Sequence, residues 1–251
     1  MYENKIKEID KIQKEINSFR PLGKHELQEL KEYFCIGLTY SSNALEGNSL
    51  TETETKIVIE DGITIGGKTL RDHFEAVGHS NAYDFMYGLA KEKTISEKDI
   101  LEFHRLFYYR INEESAGKYR KEQVFISGST FIPPSPKYVP QLMHGFASHI
   151  VNLETRKHPV EYAALLHKEF VEIHPFIDGN GRTARLLMNL ALLQHGYVIT
   201  IIPPVLRHDY INAIVQSQAD VKDDAPFINF ISCMVYESQK DYLRLLEGLV
   251  R

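Results

Sequence analysis

Apolar residues recur along most of this chain at three- and four-residue intervals, the period of a helix that buries one face. Ile6, Ile9, Ile12 and Ile16 predict a first helix, which Pro21 stops. Leu27, Leu30, Phe34 and Leu38 predict a second, from about Lys24 into Ala44. Thr51 with Glu54 forms a capping box ahead of Ile57 and Ile59, and Asp61-Gly62 and Gly66-Gly67 break the chain after it. A long helix is expected from about Leu70 to Lys91. Ser96 with Asp99 caps another, carrying Ile100, Phe103, Leu106 and Phe107. Further helices should start near Val139, after Pro159 and near Asn180, the last closing on Gly196. Two more are expected at Arg207–Ala219 and Pro226–Leu249.

The period changes between Gly117 and Pro140, where the chain reads GKYRKEQVFISGSTFIPPSPKYVP. The runs VFI and TFI flank Ser127-Gly128-Ser129, the pattern of a hairpin with a glycine-containing loop. Pro133, Pro134 and Pro136 bar its extension into a wider sheet. The expectation is an all-α domain carrying one β-hairpin, placed to act as a lid or clamp. Residues 1–60 form a helical arm packed as one unit with a core at 61–251.

Composition narrows the classes without choosing one. The 251 residues are 43% hydrophobic and 25% charged, an ordinary globular balance. A net charge of −5 and a pI near 6.1 offer no global basic field for nucleic acid. No apolar run suits a membrane span, and the charged N-terminus lacks a signal-peptide core. Cys35 and Cys233 lie far apart among apolar residues and read as buried thiols, so a reducing cytoplasm is the expected compartment. H-E-x-x-H is absent, and nothing else resembles a zinc site.

The chemistry concentrates in HPFIDGNGR, His174 to Arg182, a connection between two expected helices. Gly179-Asn180-Gly181 can turn successive N–H groups toward one concavity, and the next helix adds its positive end. Arg182 and Arg185 stand three apart on that helix and suit bidentate phosphate contacts. Asp178 offers a hard oxygen ligand for Mg2+, and His174 a base near neutral pH. Each feature alone is ordinary; together they indicate phosphoryl or nucleotidyl transfer.

The run from His174 to Arg185 matches without departure the signature of the Fic family, H-P-F-x-[DE]-G-N-G-R-x-x-R, which the chain resembles from about Lys24 onward. The resemblance implies a helical bundle that transfers AMP from ATP to a hydroxyl side chain of a target protein. His174 would then be the base, Asp178 the Mg2+ ligand, and Gly179, Asn180 and Gly181 the phosphate cradle, assisted by Arg182. Arg185 would bind the γ-phosphate. The hairpin would be a flap whose Ile126, Ser127, Gly128 and Ser129 align the target and close over the nucleotide. Asn189, Tyr210 and Gln218 would line the adenosine pocket. Phe176 is expected to be a buried anchor, and His167 to pack behind the site.

Upstream, Ser42 to Gly47 ends the second helix with a carboxylate, Glu46, at the negative end of its dipole. It also resembles the family's inhibitory motif, [ST]-x-x-x-E-[GN], in which the glutamate pairs with the second arginine, here Arg185. A self-inhibited enzyme is therefore expected, restrained by Ser42 and Glu46. Rival readings are transfer of phosphate, UMP or phosphocholine, removal of AMP with the help of Glu46, and a non-catalytic nucleotide-binding or toxin–antitoxin module. No winged-helix extension is expected in the chain up to Arg251. Self-modification is open among 14 tyrosines, and Phe103, Phe107 and Tyr108 suit either a core or a homo-oligomer interface.

Overall fold

The computed structural model describes residues 2–92, 94–126, 131–218 and 223–249. Helices follow the predicted order: α1 (Ile6–Ser18), α2 (Lys24–Ala44), α3 (Glu52–Lys56), α4 (Leu70–Leu89), α5 (Glu97–Tyr108), α6 (Val139–Arg156), α7 (Pro159–Ile173), α8 (Asn180–Gln194), α9 (Arg207–Ser217) and α10 (Ala225–Leu249). Helix α3 runs on into a π turn, Ile57–Asp61, which ends on left-handed Gly62. Side-chain capping boxes start α3, α4, α5 and α7, three of them hydroxyl caps and the fourth the ring of His158 beside Pro159. None of the helices among the described residues is long and apolar enough to cross a membrane.

Helix α8 is the axis of the bundle. Every residue from Arg182 to Leu192 is buried, the property of a helix enclosed on all sides rather than one with a solvent face. Helix α7 packs along it, with α2, α4 and α5 also against it; α10 packs on α7, and α1 on α10. Phe103, Phe107 and Tyr108 belong to this core. The arm is anchored as well as packed: Ile9 and Ile16 are fully buried, and the Gln13 amide donates to the Gly196 carbonyl at 3.1 Å.

The expected hairpin is not formed as strands. Among the described residues its limbs, 121–126 and 131–135, carry no strand pairing, and Ser127 to Thr130 lie outside them. Side chains tie the limbs instead. Gln123 Nε2 donates to the Pro133 carbonyl at 2.9 Å, while Arg120 donates to the carbonyls of Glu122 and Pro134. Pro133 and Pro134 have no N–H to give a ladder, and their carbonyls are met by the side chains of Gln123 and Arg120 instead.

If arm and core are one folding unit, Ile9→Ala should lower global stability by about 2–4 kcal/mol and leave a single unfolding transition. Denaturant melts followed by near- and far-ultraviolet circular dichroism would show one coincident shift; an early separate loss of helix would mark an independent arm.

Candidate active site

The connection from α7 to α8 is built by backbone strain and its repair. His174 caps α7 in the left-handed region (φ 49°, ψ 59°), the one non-glycine residue with positive φ among those described. Such a conformation costs about 1–3 kcal/mol and persists only where neighbours hold it. Arg120 does so: its Nε donates to the His174 carbonyl at 2.8 Å, and its own N–H to the Pro175 carbonyl at 2.9 Å. The same guanidinium reaches both limbs, 121–126 and 131–135, so one buried side chain joins the His174 turn to them.

The rest of the loop is equally fixed. The Asn180 amide acts as a backbone rung, accepting from Phe176 N–H and donating to the Phe176 carbonyl, both at 2.9 Å. Phe176 is fully buried under His104, whose ring stacks on it at 3.8 Å. Burial pushes the His104 pKa down to about 4. Its Nδ1 accepts from Gly117 N–H at 2.9 Å, which leaves Nε2–H to donate to the Asp178 carbonyl at 3.1 Å. Gly179, at φ 80°, caps α8 with no side-chain partner, and a Cβ there would lie 2.1 Å from the Phe107 ring. Only glycine fits, and the start of α8 keeps its N–H groups for a guest.

Around this helix start, three guanidiniums meet three carboxylates. Arg185, with 2% of its side chain exposed, donates to Ser42 Oγ at 2.9 Å, to the Ser42 carbonyl at 2.8 Å and to Glu46 Oε1 at 2.7 Å. Its Nη1 donates to Tyr210 Oη at 3.2 Å, and Tyr210 shares a 2.8 Å hydrogen bond with His167 Nε2. Arg182 lies over the Phe107 ring and pairs with Glu75 at 2.8 Å and with Asp178 at 3.4 Å. Arg71 bridges Glu75 at 3.0 Å and Asp178 at 2.6 Å. The Glu46 carboxylate occupies the space above Gly181: a Cβ on that residue would lie 2.3 Å from Oε1. A carboxylate therefore sits against the cradle where an anionic guest would be received.

Electrostatics set the protonation states. Burial lowers the His174 pKa, with Arg120 adding to the effect, so the imidazole is neutral at pH 7. Burial alone would raise both carboxylates. Arg185 outweighs it at Glu46, and Arg182, the Gly179 N–H and Arg71 outweigh it at Asp178, so both lie below the usual carboxylate range.

Other residues of the predicted site fall in different surroundings. Asn189 is fully buried and pins a neighbouring segment: it donates to the Thr200 carbonyl at 3.1 Å and accepts from Thr200 N–H at 2.7 Å. Tyr210 is buried behind Arg185, whereas Gln218 follows α9 and borders a cavity of about 1070 Å3 lined also by Phe131, Glu172 and Ile173. Ile126 is half-buried at the edge of the described segment; Ser127, Gly128 and Ser129 lie outside the described residues. Sequence reasoning did not select Arg71, Glu75, His104 or Arg120. Arg71 and Glu75 do stand one helical turn apart, but their partners are remote in sequence.

Comparison with known proteins decides the family. Residues 94–192 match the Fic/DOC family model. A Fic domain-containing signaling protein from Bacteroides thetaiotaomicron is 30% identical, with 97% of each chain covered and a TM-score of 0.86. The chain belongs to the Fic/DOC family. Fic-1 of C. elegans superimposes with a TM-score of 0.84 at 29% identity, covering 96% of this chain and 72% of that one. Among curated relatives, protein adenylyltransferase Fic of Nematostella vectensis is 38% identical over 77% of this chain and 45% of its own length. That of Drosophila grimshawi is 39% identical over 77% and 40%. This Fic chain thus spans less than half the length of those curated relatives.

The Glu46–Arg185 pair has a defined pH signature. Because the folded pKa of Glu46 lies below its unfolded value of about 4.3, its stabilisation is present at neutral pH and is lost as pH falls through the folded pKa. With 35% of the Glu46 side chain exposed, screening limits the effect to about 1 kcal/mol. Wild-type and Glu46→Gln proteins should differ by that amount in denaturant unfolding at pH 7 and converge in acid.

Proposed function

We propose that this protein is a self-inhibited adenylyltransferase that moves AMP from ATP to a hydroxyl of a target protein. The observation that carries the reading is a neutral imidazole, His174, set beside an uncapped helix start flanked by Arg182 and Arg185. The names of the curated relatives support it. In this reading the backbone of Gly179 to Gly181 and Arg182 hold the phosphates. His174 takes the proton of the acceptor hydroxyl as its oxygen bonds to the α-phosphorus, and pyrophosphate leaves as the α–β bridging bond breaks. Arg182 Nε has no hydrogen-bond partner among the described residues, a buried donor that phosphate oxygen would satisfy.

The residues also fit Mg2+. That ion is bound through one or two carboxylates plus phosphate oxygens and water rather than an all-protein cage. The described residues contain no cluster of three or more His, Cys, Asp or Glu that could hold a metal, but they do offer the single ionised carboxylate of Asp178, with 40% of its side chain exposed. Asp178 would hold the ion, which would neutralise charge developing on the phosphates. The segment through Ile126 to Ser129 would lie along the target as a flap, with Arg120 and Gln123 fixing its base.

Inhibition follows from competition for one guanidinium. The γ-phosphate and Glu46 both require Arg185, and Glu46 also lies over Gly181. While Glu46 holds that position, ATP cannot take the pose in which its α-phosphorus faces the acceptor.

Glu46→Gly should therefore raise AMP transfer at least tenfold, as one charge-assisted contact of about 1.5–3 kcal/mol would allow. His174→Ala should abolish it. Intact mass after incubation with ATP and Mg2+ measures both, because each transfer adds one adenylyl unit; equal labelling of the two variants would refute the base assignment. Loss of AMP from a pre-modified target, abolished in Glu46→Gly, would instead identify the reverse reaction. The rate should also be flat above the ordinary imidazole pKa of about 6.5 and fall only below it, since a lowered His174 pKa keeps the base unprotonated through neutrality.

A further inference from the structure

Asp178 has two oxygens with different surroundings. Oδ1 is turned into the loop, accepting from Gly179 N–H at 2.6 Å and lying 3.4 Å from Arg182 Nη2. Oδ2 accepts from Arg71 Nη2 at 2.6 Å. Arg71 reaches it from the first turn of α4, whose start is fixed by the Thr69 and Asp72 capping box. The other edge of the guanidinium rests on Glu75, whose side chain is 8% exposed. Glu75 cannot follow Arg71 outward, because Arg182 holds its Oε1 and Asn48 donates to its Oε2 at 2.9 Å. Arg71 itself keeps 55% of its side chain exposed, so solvent is open to it if these pairs part.

We propose that Arg71 is a positioning residue that occupies Oδ2 of Asp178 and sets the Mg2+ concentration at which ATP is taken up. The proposal rests on the adenylyltransferase reading above. A guanidinium on Oδ2 and a directly bound Mg2+ would compete for one carboxylate and repel each other, so uptake of the ion is favoured when Arg71 leaves. The exchange is conditional, not blocked. A half-exposed pair is weak, and a divalent ion carried on phosphate oxygens outcompetes a single positive charge. Arg71 also bridges two carboxylates that would otherwise face each other with only Arg182 between them, which keeps the Asp178 side chain aimed before the ion arrives. A metal without nucleotide lacks the phosphate oxygens and loses the competition, so Arg71 favours entry of the ion as its ATP complex.

The test is calorimetric titration of ATP into the full chain at graded Mg2+, which needs no turnover. In Arg71→Gln the Mg2+ midpoint for ATP binding should fall about fivefold. Arg71→Lys keeps a charge but cannot bridge both carboxylates, and should lower the midpoint by a smaller factor; it also serves if the glutamine variant fails to fold. An unchanged or raised midpoint beside tight ATP binding would overturn this proposal alone, showing that Arg71 stays in place or holds phosphate itself. Failure of both wild-type and Glu46→Gly proteins to bind ATP at any Mg2+ concentration would overturn it together with the adenylyltransferase reading.

Discussion

A guanidinium taken out of water must be met by anions or carbonyls, and the first turns of α8 bury two of them. That requirement organises the protein around its site. Arg185 draws the end of α2 onto α8 through Ser42 and Glu46, and Arg182 draws in α4 through Glu75. Helices far apart in sequence thereby converge on one helix start, and the charges there balance as three against three. Two buried guanidiniums are stable in this arrangement because carboxylates meet them. Under the proposed function those carboxylates would stand in for phosphates, and self-restraint would follow from making the site dry.

The loop between α7 and α8 shows how a strained turn is held by hydrogen bonds to backbone. His174 stays in a disfavoured conformation because Arg120, a buried cation with no carboxylate partner among the described hydrogen bonds, spends its donors on carbonyls at the turn and on both limbs of the neighbouring segment. Asn180, read from sequence as part of the cradle, has its side chain committed to Phe176; what it leaves for a guest is main chain. His104 is held neutral under the loop by burial, so it can donate steadily to the Asp178 carbonyl.

Much of this was legible beforehand where the signal is local. Helical periods and Thr51, Ser96 and Pro159 marked helix starts that the structure places at α3, α5 and α7. Glu46 stood out because a carboxylate at a helix C-terminus needs a partner, and the ion pair with Arg185 provides it. The hairpin was legible only in part: its loop, Ser127 to Thr130, lies outside the described residues, and among the described ones the limbs carry no strand pairing, since Pro133 and Pro134 have no N–H to give a ladder. Arg71, Glu75 and Arg120 were not legible, since an arginine or glutamate on an amphipathic helix looks like any solvated face until its partner is known.

The sequence by itself determined which segments are helices and which short loop carries base, acid and glycines, because periodicity, capping and backbone freedom act within a few residues. Tertiary structure alone decided which carboxylate each arginine meets, that Asn189 is consumed by Thr200, and that Arg71 reaches Asp178 across a separation of 107 residues. Ion pairing depends on distance in space and on the loss of water between the partners. Both are set only when the helices pack.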